Sequence, residues 1–360
     1  VLVDSTPRER PQALPPPPPP SPLSSPPSSW RRSAICAAGL LVSVGVLLVV
    51  VVASIAVGAK QIPVGDVWHG LFQYTGTDND VVIRDLRVPR TLLGLVVGSA
   101  LGLAGAVLQA LTRNPLADPG LLGINAGAAA AVVSGISFFG VSSLSGYVWF
   151  AFGGAAAVSV LVYVLGGVRS ATPVRLALAG TAATAALIGY INAVQLMDNV
   201  ALDKMRFWTV GSLASASMDT LWQVLPFLAV GTLLALSLAR PLNAMALGDD
   251  TARALGAGLN RTRALSMAAA TLLCGAATAA CGPIAFVGLM VPHLVRSFTG
   301  PDQRWILPYA AVLSPVLLLG SDVVARVVAR PSELQVGIVT ALIGGPLFIY
   351  LVRRRKLAQL

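Results

Sequence analysis

From residue 33 to residue 57 the chain carries no charged side chain, and nine further mainly apolar stretches follow before the C terminus. About 20 such residues wound as a helix cross the roughly 30 Å of hydrocarbon in a bilayer, and a helix satisfies its own backbone there. The stretches are 33–57, 89–111, 120–139, 148–168, 175–197, 221–239, 263–281, 283–298, 305–328 and 335–352. They predict an all-α polytopic membrane protein with about ten transmembrane helices. The eighth is the shortest and carries Pro292 and His293.

Composition agrees. With 55% hydrophobic residues, 11% charged residues and a mean hydropathy of +0.77, the chain lacks the polar surface to coat a soluble globule of 360 residues. The net charge of +10 does not point to nucleic acid, because the arginines stand singly or in short clusters between apolar runs without interleaved aromatics. Most of the 25 Lys and Arg fall on the side that carries both termini, including Arg31 and Arg32 before the first span and Arg353, Arg354, Arg355 and Lys356 after the last. Both termini are therefore expected in the cytoplasm, with the chain multi-pass in the cytoplasmic membrane and in contact with its lipid. Residues 1–32, with an unbroken proline run from Pro15 to Pro20, cannot form a core and read as a disordered or extended tail; 33–360 is the membrane domain. The run at 33–57 is too long for the apolar core of a signal peptide and reads as a permanent span. Cys36, Cys274 and Cys281 sit in apolar segments and read as packing residues.

Residues 87–123, RVPRTLLGLVVGSALGLAGAVLQALTRNPLADPGLLG, describe one span and both its ends. Gly94, Gly98 and Gly102 recur every four residues and leave a groove for a neighbouring backbone, so this helix packs inside a bundle. Pro115 and Pro119 stiffen the turn that follows, where Asn114 and Asp118 suit helix caps. Between the sixth and seventh spans, PLNAMALGDDTARALGAGLNRTR alternates apolar and charged residues as a short amphipathic helix broken at Gly256 and Gly258. In the outer loop 58–88, Trp68, Phe72 and Tyr74 suit a short helix at the membrane interface. Asn192 and Gln195, polar residues in the fifth span, are candidates for a translocation route.

Five ordered blocks carry a resemblance: the stretch 87–123, LGDDTARALG, GPIAFVGLMVPHLVR, DVVAR and ELQVGIVTALIGGPLFIYL. They resemble the iron-siderophore and cobalamin uptake permeases, the membrane subunits of type II ABC importers, over nearly the whole chain after residue 33. The resemblance implies that family's ten-helix permease fold, a second permease subunit as homodimer or heterodimer partner, two cytoplasmic ATPase subunits and an extracytoplasmic solute-binding protein. It implies that residues 247–258 form coupling helices seated on the ATPase, through Leu247, Gly248, Asp249, Asp250, Ala252, Arg253, Leu255 and Gly256. It implies that Arg87, Arg90 and Arg326 receive glutamates of the binding protein. On the residues alone, these arginines equally read as snorkelling at helix ends, with Arg326 paired to Asp322 one turn earlier. The loop 169–175 matches the cytoplasmic gate at Thr172, while Pro173 and Val174 depart from the small hydroxylated pattern.

The only lysines are Lys60, Lys204 and Lys356, and none follows a glycine, so no phosphate-binding P-loop is present and the chain is not expected to be an enzyme. ATP-driven transport would draw its energy from another polypeptide. His293 has no second donor at ligand spacing, and neither a metal site nor a cofactor is expected. The cargo implied is a ferric siderophore or related metal chelate, with cobalamin or haem as alternatives. An ion-coupled secondary transporter is the rival class; it would carry coupling carboxylates at mid-membrane, where Asp322 is the nearest acidic residue.

Overall fold

A computed structural model describes residues 29–141, 144–167, 173–254, 256 and 258–354; the proline-rich tail up to residue 28, Thr172 and Leu255 lie outside these. Among the described residues the chain is helical without strands. The helices are α1 (Ser29–Ala56), α2 (Val64–Phe72), α3 (Asp78–Val81), α4 (Val88–Thr112), α5 (Ile124–Phe139), α6 (Leu144–Leu165), α7 (Pro173–Met197), α8 (Asn199–Trp208), α9 (Met218–Ser237), α10 (Ala239–Ala246), α11 (Asp249–Ala254), α12 (Leu259–Cys281), α13 (Val287–Thr299), α14 (Gln303–Val328) and α15 (Val336–Arg354). Among the described residues seven spans are long and apolar enough to cross a membrane, α3 and α4 counting as one; α5, α13 and α15 are the shorter helices at the third, eighth and tenth predicted positions.

Helix composition decides position in the bundle. The most apolar window of α1, with Leu and Val all round, is only 6% buried, whereas that of the glycine-notched α4 is 78% buried. α4 is the axis on which α9, α12, α13 and α14 pack. Its glycines explain how. A Cβ on Gly94 would lie 2.5 Å from Leu319 Cδ2, one on Gly98 2.6 Å from Pro315 Cα, and one on Gly102 2.6 Å from the Ala310 carbonyl oxygen, all on α14. One turn further, Gly105 meets the backbone of Gly288 on α13. The closeness of these helices rests on missing side chains, because in lipid their association depends on van der Waals contact rather than on water exclusion.

Three boundaries differ from the sequence expectation. α1 starts at Ser29, so the last residues assigned to the tail are helical. The second span begins before residue 89: α3 leads through a π-helical turn, Val82–Arg87, straight into α4. The eighth segment, read as 283–298, is non-helical through Phe286 because Gly282 (φ 72°) and Phe286 (φ 68°) both take the left-handed region. The 13 residues of α13 rise only about 20 Å, short of a full crossing. In the loop 58–88, α2 forms where the aromatics suggested it, with the exposed rings of Trp68 and Phe72 4.4 Å apart.

Candidate functional site

The chain's polar machinery gathers at the two ends of α4. At its N-terminal end, Arg87 donates from Nη1 to the carbonyls of Ile55 (2.9 Å) and Ala56 (2.8 Å), and from Nη2 to that of Lys60 (2.6 Å). These include the last carbonyls of α1, which have no partner within their own helix, so a cation supplied by α4's N-terminal end closes the first helix. Arg326 reaches the same place from α14, donating to the Ser54 carbonyl (2.9 Å) and Oγ (3.0 Å). Between them, Asp322 accepts a forked pair from Arg90 (2.7 and 3.0 Å) and forms an ion pair with Arg326 (3.0 Å). Arg90 also meets Glu333 at 2.5 Å.

Arg87, Arg90 and Arg326 are 4, 8 and 2% exposed, and each is already bound within the chain. The pairing of Arg326 with Asp322 one turn earlier is present; the grip of Arg90 on the same carboxylate, from 232 residues away, has no local sequence signal. Asp322 is fully buried and held by two guanidiniums, which makes it the anchor of this cluster. The three arginines also line a cavity of about 270 Å3 together with Gly58, Lys60, Ala214 and Glu333. Four cationic side chains and one carboxylate on its wall give it a positive field.

At the opposite end of α4, the amphipathic segment forms two helices, α10 and α11, hinged at Leu247 and Gly248; the expected break at Gly256 and Gly258 is present, between α11 and α12, and the hinge at Gly248 is an additional one. Gly248 (φ 104°) and Gly256 (φ 79°) occupy left-handed positions that a side chain would strain. Ala252 is fully buried, Leu247 is 64% exposed, and Asp250 and Arg253 face solvent, paired with each other at 2.9 Å. Asp249 turns the other way, accepting from Arg263 at 2.6 Å and from Arg113. Burial pushes the Asp249 carboxyl up, but the Arg113 hydrogen bond and the Arg263 charge more than offset this and hold it below the usual carboxylate range. On α10, Asn243 bonds Asp302 (2.6 Å) and the backbone N–H of Gln303 (2.8 Å) at the start of α14.

The remaining candidates are dispersed. Asn192 is exposed and Gln195 half-buried on α7, a helix whose most apolar window is only 17% buried; Pro173 is its first residue. Asn114 and Asp118 accept from the backbone N–H groups of Leu116 (2.9 Å) and Gly120 (2.7 Å), as their turn suggested. Sequence reasoning missed the polar ties between helices: Gln109 donates to the Leu289 carbonyl (2.9 Å), and Asn125 accepts from Thr278 (2.9 Å). A lone Gln or Asn inside an apolar run was the only available signal. Cys274 and Cys281 are buried, and all three cysteines are free thiols.

A bundle of apolar helices around a glycine-notched axis, with an ion-paired rim at one end and a short helical pair at the other, defines a membrane-spanning permease. The chain belongs to the FecCD transport family, membrane permeases of ABC importers: the family's model matches residues 46–354. It is 46% identical over 316 residues to the ferric enterobactin transport system permease protein FepD of Escherichia coli (strain K12), covering 86% of this chain and 94% of that protein. It is 40% identical over 303 residues to the Fe(3+)-citrate import system permease protein YfmD of Bacillus subtilis (strain 168), covering 84% and 90% respectively. Among solved structures, an inward-facing conformation of a metal-chelate type ABC transporter superposes with a TM-score of 0.79 at 29% identity, over 88% of this chain and 99% of that one.

Proposed function

We propose that this chain is the permease subunit through which an ATP-driven importer carries a ferric siderophore across the cytoplasmic membrane, with both termini inside. The observation that carries the reading is the α10–α11 pair. It presents exposed Leu247, Asp250 and Arg253 away from the apolar bundle while its other face is tied to three membrane helices. A surface of that kind suits a partner that pushes, namely a separate ATPase subunit. The siderophore assignment follows the iron-chelate permeases among the relatives; haem and cobalamin are the alternatives. α7, with its exposed Asn192, would line the route against a second permease subunit.

The test is uptake of labelled ferric siderophores, haem and cobalamin into vesicles holding this chain with its ATPase and solute-binding protein. ATP-dependent entry of the siderophore alone is the expected result, and entry of haem or cobalamin alone would reassign the cargo. In the same vesicles, Arg253→Glu or Gly256→Val should lower uptake at least tenfold, by weakening ATPase binding or straining the turn. Uptake at the parent rate would remove the helical pair from the coupling route.

Outside, the solute-binding protein would dock over the positive cavity, its acidic side chains drawn by Lys60, Arg87, Arg90 and Arg326. The three buried arginines hold the rim in shape, and exposed Lys60 and Arg84 supply steering charge. Rim charges act on association rate more than on affinity. Lys60→Glu with Arg84→Glu should therefore slow binding-protein association several-fold at low salt, measured by stopped-flow, with the difference fading at high salt. An unchanged rate would place docking elsewhere.

A further inference from the structure

We infer that Asp249 is a positioning residue that transmits force from the coupling element to the membrane helices, through a carboxylate clasp on Arg113 and Arg263. The inference rests on the ATPase-coupling reading above and adds the link that reading lacks. A helical pair lying on an ATPase moves cargo only if its displacement reaches the bundle, and a hinged segment dissipates displacement unless it is tied. Asp249 is the first residue of α11, directly after the hinge at Gly248. One carboxylate oxygen takes Arg263 Nη2 at 2.6 Å, and the other takes Arg113 Nη2. The two arginines belong to different helices: Arg263 lies in the first turns of α12, and Arg113 caps α4. These are the two spans most buried in the bundle, at 72% and 78% of their apolar windows.

Two details argue that the tie is mechanical. Arg113 holds a left-handed backbone (φ 50°, ψ 31°), a conformation that costs a non-glycine residue energy and that here aims its side chain at Asp249. A forked carboxylate between two guanidiniums resists shear in two directions, where a single hydrogen bond would swivel. Neighbouring Asp250, by contrast, has a side chain 99% exposed and is paired only along its own helix. The two adjacent aspartates therefore divide the work: Asp250 faces the partner, Asp249 faces the transporter. Asn243 ties α10 to α14 in the same way, so the ends of three packed helices move with the pair.

The experiment measures cargo molecules imported per ATP hydrolysed, in vesicles with saturating ATPase subunit so that affinity does not enter the ratio. Asp249→Asn, which keeps the shape but loses the charge that holds both guanidiniums, should lower the ratio about tenfold. Asp249→Glu, which keeps the charge and can reach both partners, should restore most of it. Should Asp249→Asn not assemble, the exchange Arg263→Asp with Asp249→Arg tests the same link, with the expectation of a ratio nearer the parent than Arg263→Asp alone gives. A ratio unchanged in Asp249→Asn, or a loss that neither Asp249→Glu nor the exchange recovers, overturns the clasp. Failure of the unmutated chain to couple any ATP to uptake is a separate result and overturns the coupling reading itself.

Discussion

Asp322→Ala is expected to destabilise the folded permease by about 3–5 kcal/mol, the range for breaking a buried ion pair by removing one partner. The carboxylate is fully buried and holds Arg90 by a fork and Arg326 at 3.0 Å, so its loss leaves two guanidiniums facing each other where each is less than a tenth exposed. Arg90 would keep the Glu333 carboxylate, but Arg326 would keep only the neutral Ser54 carbonyl and hydroxyl, so a buried guanidinium is left without a counter-charge. Thermal unfolding in detergent, followed by loss of the monodisperse species, is the measurement. Combining Asp322→Leu with Arg326→Met should recover a large part of the loss, because an apolar replacement of a buried pair leaves no stranded charge and Glu333 still serves Arg90. A single variant as stable as the parent would mean that water reaches the cluster. The same position addresses the secondary-transport reading: if Asp322 carried a coupling ion, Asp322→Asn would abolish uptake while the protein kept its full stability.

The cluster also marks where sequence reasoning stops. Helices were legible because a span must be long and apolar, a demand met locally by twenty or so residues. α1 and α14 follow their predicted runs closely, and the glycine face of α4 meets α14. What could not be read were contacts closed by tertiary structure. Arg87 caps a helix that ended about 30 residues earlier, and Arg113 finds Asp249 at a separation of 136. Nothing near Arg87 distinguishes an arginine that snorkels at an interface from one folded inward on carbonyls. The end of the seventh span at residue 281, before Gly282-Pro283, was legible and α12 stops there, but the apolar residues that follow gave no sign that the chain stays non-helical through Phe286. Gly105 was likewise passed over, because the four-residue spacing of the other glycines stops at Gly102 and the next contact turns to a different helix.

Gly105→Ala is expected to be the most damaging glycine-to-alanine change on α4. An added methyl would occupy the space of the Gly288 carbonyl oxygen, and Gly288 in turn faces the Leu101 carbonyl oxygen at 2.6 Å from its own would-be Cβ. Both obstacles are backbone, so relief requires α4 and α13 to separate along their length. Overpacking typically costs 1–3 kcal/mol, and this site belongs at or above the upper end, roughly 3 kcal/mol, because no rotamer can absorb the clash. Gly94→Ala sets the scale: its obstacle is a methyl of Leu319, the far end of a flexible side chain, and the cost should be about 1 kcal/mol. Gly45→Ala, on α1 with nothing within 4 Å, should be neutral or slightly stabilising through helix propensity. The expected order of thermal stability is therefore Gly45→Ala, then Gly94→Ala, then Gly105→Ala. α13 follows the left-handed Phe286 and is too short to cross the membrane alone, so its packing on α14 and its hold on α4, through Gly105 and the Gln109 bond to Leu289, keep it in place. A Gly105→Ala protein as stable as Gly94→Ala would mean that α13 slides along α4 at little cost.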